Sequence, residues 1–138
     1  MLPEKIKFEV VTPEEMVLSE TVDEVILPGK MGYFGVRPGH TPLLTTLSIG
    51  IITYRQANKS RYVAVTWGFC EVLADRVIVL AEMAERADEI DAERARRKMM
   101  EAEEVLRKKR GDGGFHVAEV RMKKALARLE AFEKGKKG

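Results

Sequence analysis

The chain changes character once, near Ala81, and that break constrains the fold more than any other feature of the sequence. Before it, short apolar stretches are cut every several residues by Pro, Gly, Asn or Asp. After it, strand formers give way to Ala, Glu, Arg, Lys and Met, which lose little on entering a helix. A body of short strands followed by a helical appendage is the architecture this order permits.

In the first part, Ile6, Phe8 and Val10 alternate with Lys5, Lys7 and Glu9, the period-2 pattern of a half-buried strand. Extended pieces follow at 16–18, 22–27 and 33–36, separated by Pro13, by Pro28-Gly29 and by Gly32. Residues 49–55 and 61–66 read as a hairpin turned around Asn58-Lys59-Ser60, and residues 69–73 and 76–80 as another turned at Ala74-Asp75. The expectation for residues 1–84 is one antiparallel β domain, a sandwich or a barrel.

Residues 85–138 read as two helices, at about 88–109 and 115–133. Asp88 is the expected N-cap of the first, with Asp91 three residues on. Ala95, Met99, Ala102 and Leu106 form one apolar stripe; Ala118, Met122, Ala125, Leu129 and Phe132 form the other. The link Arg110-Gly111-Asp112-Gly113-Gly114 folds them into an antiparallel α-helical hairpin. Four of those nine seam positions are alanine, so the seam buries little apolar area. Periodicity alone leaves two readings open, a static appendage or a hairpin that opens for a better partner.

The formal charge of +2 hides an asymmetry. Residues 1–84 carry eight Lys/Arg and ten Asp/Glu, whereas residues 85–138 carry sixteen and twelve. Acids interleave with the bases of the helical part, and its only aromatic residues are Phe115 and Phe132. That pattern argues against nucleic acid and for an acidic protein surface or a nucleotide phosphate. One cysteine, Cys70, precludes an internal disulfide; with only His40 and His116 beside it, a His/Cys metal site is not expected. No apolar run reaches the roughly 20 residues of a membrane helix. There is no phosphate-binding G-x-x-x-x-G-K-[ST] loop, nucleophile elbow or H-E-x-x-H, so the chain reads as non-catalytic.

The run from Pro28 through Gly29, Lys30, Met31, Gly32, Tyr33, Phe34, Gly35, Val36, Arg37, Pro38, Gly39, His40, Thr41 and Pro42 to Leu43-Leu44 resembles a signature of one family. That family is the epsilon subunit of bacterial F-type ATP synthases. Trp67-Gly68-Phe69-Cys70-Glu71-Val72 resembles its second recurrent segment, and the resemblance continues through both helices. It implies a sandwich of about ten strands, a regulatory helical hairpin, and a peripheral position at the cytoplasmic face of the bacterial plasma membrane. The implied partners are the gamma subunit, the c-subunit ring and the alpha/beta catalytic hexamer. The implied role is a non-catalytic rotor subunit that couples ion-driven ring rotation to ATP synthesis. Its helices would permit both reaction directions when folded and obstruct ATP hydrolysis when extended along gamma.

The resemblance also implies site residues. Lys30, Met31, Gly32 and Tyr33 match the turn that faces the c ring, although many relatives carry an acid where Tyr33 stands. His40 and Thr41 match a region facing gamma. Ile90, Asp91, Arg94 and Ala95 match the [IL]-D-x-x-R-A pattern with which some bacterial members bind regulatory ATP, and Lys124 and Arg128 match two of their basic positions. Two further basic positions of those relatives fall on Val117 and Glu101. Asp91 is equally suited to capping the helix. Arg94, Arg97, Lys98, Arg107, Lys108, Lys123 and Arg128 are the bases that would engage acidic loops of the hexamer. The rival readings are a free-standing ATP-sensing module and a sandwich-plus-coiled-coil adaptor.

Overall fold

The computed structural model describes residues 3–108 and 113–137. Eight strands precede two helices: β1 (Ile6–Val11), β2 (Met16–Val22), β3 (Glu24–Gly29), β4 (Gly32–Val36), β5 (Leu43–Leu47), β6 (Gly50–Gln56), β7 (Lys59–Val72) and β8 (Arg76–Arg86). A single 3-10 turn (Ala87–Glu89) leads into α1 (Ala92–Lys108), and α2 (Gly113–Lys137) folds back along it. The sandwich and hairpin are those read from the sequence.

Period-2 alternation builds the sandwich. Ile6, Phe8 and Val10 of β1 are fully buried, while their neighbours point outward. Val25 and Leu27 of β3, Ile52 and Tyr54 of β6, Val63, Val65, Cys70 and Val72 of β7, and Val77 and Val79 of β8 complete one continuous core. Pairing is antiparallel except that β1 runs parallel to β8. β7 belongs to both layers: residues 59–65 pair with β6, and residues 68–72 pair with β5.

Among the described residues the strand count is eight, where the resemblance implied about ten, and β7 accounts for part of the difference. Its 14 residues run without a break through the expected strand 61–66 and through 69–72 of the expected strand 69–73. The backbone kinks at Trp67, with φ of 28°, instead of ending. The next residue must be glycine, because a Cβ on Gly68 would lie 2.0 Å from the Leu80 carbonyl oxygen. β8 likewise continues past residue 80 to Arg86, paired with Val63, so the sandwich reaches two residues beyond the expected boundary at 84. The β6–β7 turn is the two-residue Ala57-Asn58, with Gln56 opposite Lys59, one step earlier than expected.

The helical part also starts differently. Asp88 is not the cap of α1: it lies in the 3-10 turn, with Oδ1 3.7 Å from Arg86 Nε. Ile90 is extended and 6% exposed, and Asp91 caps the helix. Burying Ile90 against Ile51, Ala64, Ala87 and Ala131 moves the helix start from 88 to 92. The link at 110–112 lies outside the described residues. α2 runs from 113 to 137, four residues past the expected end at 133.

Ala95, Ala102, Ala118 and Ala125 are buried, as the thin seam implied. Ala127 and Ala131 of α2 are buried too, and the sequence stripe did not include them. With Lys124 and Arg128 they form a second face of α2, set on β7 and β8. Gly135 closes this contact, since a Cβ there would approach Ala87 Cβ at 2.9 Å.

Candidate functional site

The residues matching the nucleotide motif divide between packing and solvent. Ile90 belongs to the small core under the hairpin, and Ala95 is 3% exposed in the helix contact. Asp91 Oδ1 accepts a hydrogen bond from the Arg94 backbone N–H at 3.0 Å, and the Asp91 carbonyl accepts from Ala95 N–H at 3.1 Å. The side-chain bond satisfies one of the amides that a helix start leaves without partners, and the carbonyl bond is the first of the helix itself. Arg94 is exposed, and among the described residues its guanidinium has no carboxylate within ion-pair distance.

Lys124 and Arg128 sit one turn apart on α2 and face the sandwich. Lys124 Nζ lies 3.3 Å from Glu82 Oε1 and 4.8 Å above the Trp67 ring. Arg128 Nε pairs with Glu85 Oε1, and both partners are largely shielded, at 17% and 35% exposure. Glu82 and Glu85 belong to β8, so these two ion pairs run from sandwich to hairpin. Loop separations of 42 and 43 residues put them beyond sequence periodicity. The only signal for them is the complementary spacing of two acids and two bases.

Lys124 and Arg128 also line a groove of about 760 Å³ that contains Lys98, Arg121, Glu101 and Val117. The two departures from the ATP-binding pattern, Glu101 and Val117, therefore sit in the same groove as the two retained bases. Asp91 and Arg94 do not line it. The fit to a nucleotide phosphate is partial: Arg94 is free, whereas Lys124 and Arg128 already hold carboxylates.

The second candidate region is the β3–β4 turn. Gly29 pairs with Gly32, leaving Lys30 and Met31 as a two-residue loop. Gly32 takes φ of 127°, and Met31 is 97% exposed. Tyr33 does not simply point outward. Its hydroxyl accepts from the Ile51 N–H at 3.0 Å and fills the space over Gly50, which fixes the turn against β6. Further along, Gly39 (φ 87°) shapes the bend that carries His40, whose Nδ1 donates to the Thr41 carbonyl at 2.6 Å.

Sequence reasoning missed a set of exposed apolar side chains on the sandwich. Leu43, Leu44, Trp67, Phe69, Leu80 and Met83 are all more than a third exposed. Phe69 stands opposite Leu80, and Leu80 opposite Val11, in one cross-strand row. The legible signal was that 77–80 is apolar on both faces and that Phe69 shares the outer face of its strand with Glu71. A strand with one face already in the core has its other apolar face left for a partner. Elsewhere, burial pushes the Cys70 thiol up to about 12. Among the described residues no group of three or more His, Cys, Asp or Glu is arranged to hold a metal, and no helix is long and apolar enough to cross a membrane.

Comparison with known proteins covers both parts of this arrangement. The family described as the ATP synthase delta/epsilon chain β-sandwich domain matches residues 5–87, and the delta/epsilon chain long α-helix domain matches residues 88–133. The ATP synthase epsilon chain 2 of Syntrophotalea carbinolica is 45% identical over 138 residues, covering 99% of this chain and 100% of its own. The ATP synthase epsilon chain of Trichlorobacter lovleyi is 47% identical over 134 residues, covering 96% and 97%. In fold, the chain is similar to a subunit in the Euglena gracilis mitochondrial ATP synthase structure of OSCP, F1 and c ring. The TM-score is 0.78 at 23% identity, over 97% of this chain and 82% of that one. A chain of the Tetrahymena thermophila central stalk and c ring matches at TM-score 0.61 and 14% identity, over 96% and 99%.

Proposed function

The chain belongs to the delta/epsilon family of ATP synthase subunits, and from that membership we propose that it is a non-catalytic rotor subunit whose hairpin is a releasable regulator of ATP hydrolysis. The observation that carries the switch is the way α2 rests on the sandwich. Its contact face is built from Ala127 and Ala131 and from two ion pairs, Lys124–Glu82 and Arg128–Glu85. Alanines bury little area, and partly exposed ion pairs contribute about 1 kcal/mol or less each. A contact of that kind holds the hairpin without making it part of the core.

The sandwich supplies the fixed surfaces. Met31, in the β3–β4 turn, is 97% exposed and would meet the c ring together with Lys30, Gly32 and Tyr33. The apolar row of Phe69 and Leu80, with Leu44 exposed on the neighbouring β5, would meet gamma together with His40 and Thr41. Two rigid faces on one body let rotation of the ring pass to gamma. Released, the hairpin would present Arg94, Arg97, Lys98, Arg107, Lys108, Lys123 and Arg128 to acidic loops of the catalytic hexamer. Among the described residues, Arg97 in the folded state pairs with Glu93 at 4.0 Å, and Arg107 and Lys108 pair with Glu104 at 2.8 and 3.1 Å. Such exposed pairs within one helix exchange readily for a partner. The complex would place the subunit at the cytoplasmic face of the plasma membrane.

Truncation after Arg86 tests the switch in the assembled complex. The shortened subunit should assemble, and hydrolysis should rise. Unchanged hydrolysis at low ATP would remove the inhibitory role. Regulatory ATP is a further part of this reading: Arg94, Lys124 and Arg128 would hold its phosphates, with Lys124 and Arg128 leaving Glu82 and Glu85 to do so. A ligand held only by the folded form shifts the population toward it. Calorimetry of the isolated chain checks this: binding at millimolar ATP that is weakened by Arg94→Ala supports it, and no heat at all refutes it.

A further inference from the structure

A cavity of about 340 Å³ lies where the end of α2 meets the sandwich. Its walls come from the start of β7, the end of β8 with the 3-10 turn, and the last turns of α2. Lys59, Arg61 and Arg86 line it from the sandwich side, and Lys136 lines it from the helix. The cavity is complete only while the hairpin is docked. None of Asp91, Arg94, Lys124 and Arg128 lines it, so it is separate from the nucleotide residues discussed above.

Its charge is poorly balanced. The one carboxylate in the lining, Asp88, is 3.7 Å from Arg86 Nε. Arg61 Nε donates to Gln56 Oε1 at 3.2 Å, a neutral acceptor. Among the described residues, Lys59, Arg61 and Lys136 have no carboxylate within ion-pair distance. Glu20 of β2 acts on the Tyr54 phenol at the cavity but is not in the lining. Docking therefore brings Lys136 toward three like charges on the sandwich, with Lys134 close by at 6.0 Å from the Tyr62 ring. Arg61 is half-buried and Arg86 retains only 31% exposure, so water screens them less than it would at an open surface. Two guanidiniums with their fork of donors, flanked by two ammonium groups, make a site suited to multivalent oxyanions.

We propose that this cavity binds a phosphate-class anion that bridges Arg61 and Arg86 of the sandwich to Lys136 of α2, and so holds the hairpin in the docked position. The anion replaces mutual repulsion of the cations with charge-assisted hydrogen bonds across the domain contact. It needs no chemistry from the ligand beyond its charge and oxygen acceptors.

The test uses the full chain with inorganic pyrophosphate, read by calorimetry and by amide exchange of α2. Ionic strength is matched with sodium chloride. A single saturable site is expected, and pyrophosphate at a hundred times its Kd should slow α2 exchange about a hundredfold. The Arg61→Gln/Arg86→Gln double variant should lose at least about tenfold in affinity. Lys136→Gln, at an exposed helix end where the sandwich fold is not at stake, should weaken binding and the exchange effect together. Asp91→Ala should leave pyrophosphate binding unchanged. An AMP arm separates a free inorganic anion from a nucleotide phosphate; whichever binds more tightly through Arg61 and Arg86 names the source. The proposal is overturned if chloride alone reproduces the protection, if neither probe saturates, or if binding survives both the double variant and Lys136→Gln.

Discussion

The sandwich and the hairpin are both held by apolar contact, but they use different side chains to make it. The sandwich interior is filled by Phe8, Tyr54, Leu27, Ile6, Ile52 and a set of valines at 2% exposure or less. Phe8 and Tyr54 meet with ring centroids 5.3 Å apart. The hairpin contacts are buried alanines, at 92, 95, 102, 118, 125, 127 and 131. An alanine methyl withdraws a small fraction of the area that a buried leucine or phenylalanine does, and it fits any partner with little shape preference. The sandwich is thereby committed to one packing, and the hairpin is docked without being locked. Ion pairs and Gly135, which allows close approach to Ala87, add position to a contact that has little cohesion of its own.

The two regions should respond differently to loss of packing. Phe8→Ala should cost the sandwich about 3–5 kcal/mol, measured by denaturant unfolding, and should take the hairpin down with it. Alkaline pH probes the same core. Burial, followed by the charge of Glu20, raises the Tyr54 phenol to about 12 from 10.0, and burial raises the Cys70 thiol to about 12 from 9.0. Both groups fold in their neutral forms. Their contribution is complete below the unfolded values and is lost as pH rises from about 9 toward 12. Stability should therefore fall across that window, and Tyr54→Phe combined with Cys70→Ala should flatten the fall. Cys70 should stay unreactive to thiol reagents until the sandwich unfolds.

On the hairpin side the effects are smaller and local. Ala131→Leu overpacks the contact among Ile51, Ala64, Ala87 and Ile90 and should cost docking about 1–3 kcal/mol. Trp67, the single tryptophan, lies under Lys124, so its emission should report release while the denaturant midpoint of the sandwich stays in place. Smallest is Glu85→Gln, which removes the carboxylate charge opposite Arg128. A loss of about 1 kcal/mol in docking is expected, and added salt should weaken the wild-type hairpin toward the variant. Equal losses from Ala131→Leu in sandwich and hairpin would dissolve the distinction between the two regions.

The same contrast explains what the sequence made legible. Ile6, Phe8 and Val10 announce their strand because large apolar residues alternate with charges, and Pro and Gly mark the turns around them. Strand continuity was not legible at Trp67, where a kink of one positive φ and a close approach at Gly68 look like a strand end. The helix start was misplaced because Asp88 and Asp91 are both acceptable caps, and burial of Ile90 decides between them. Ala127 and Ala131 escaped notice because alanine carries almost no periodic signal, being at home on any helix face. Among the site residues, Asp91 took the capping role that the sequence left open. Lys124 and Arg128 were visible as bases, but Glu82 and Glu85, which hold them, come together only in the fold.

Amide exchange of the free chain, followed peptide by peptide, distinguishes a hairpin that opens by itself from one that unfolds with the sandwich. Residues 92–108 and 113–137 should exchange about a hundredfold faster or more than the buried strands β1, β6 and β7, through an opening that leaves the sandwich intact. Exchange of helices and strands at one common rate, in a single cooperative unfolding, would contradict it.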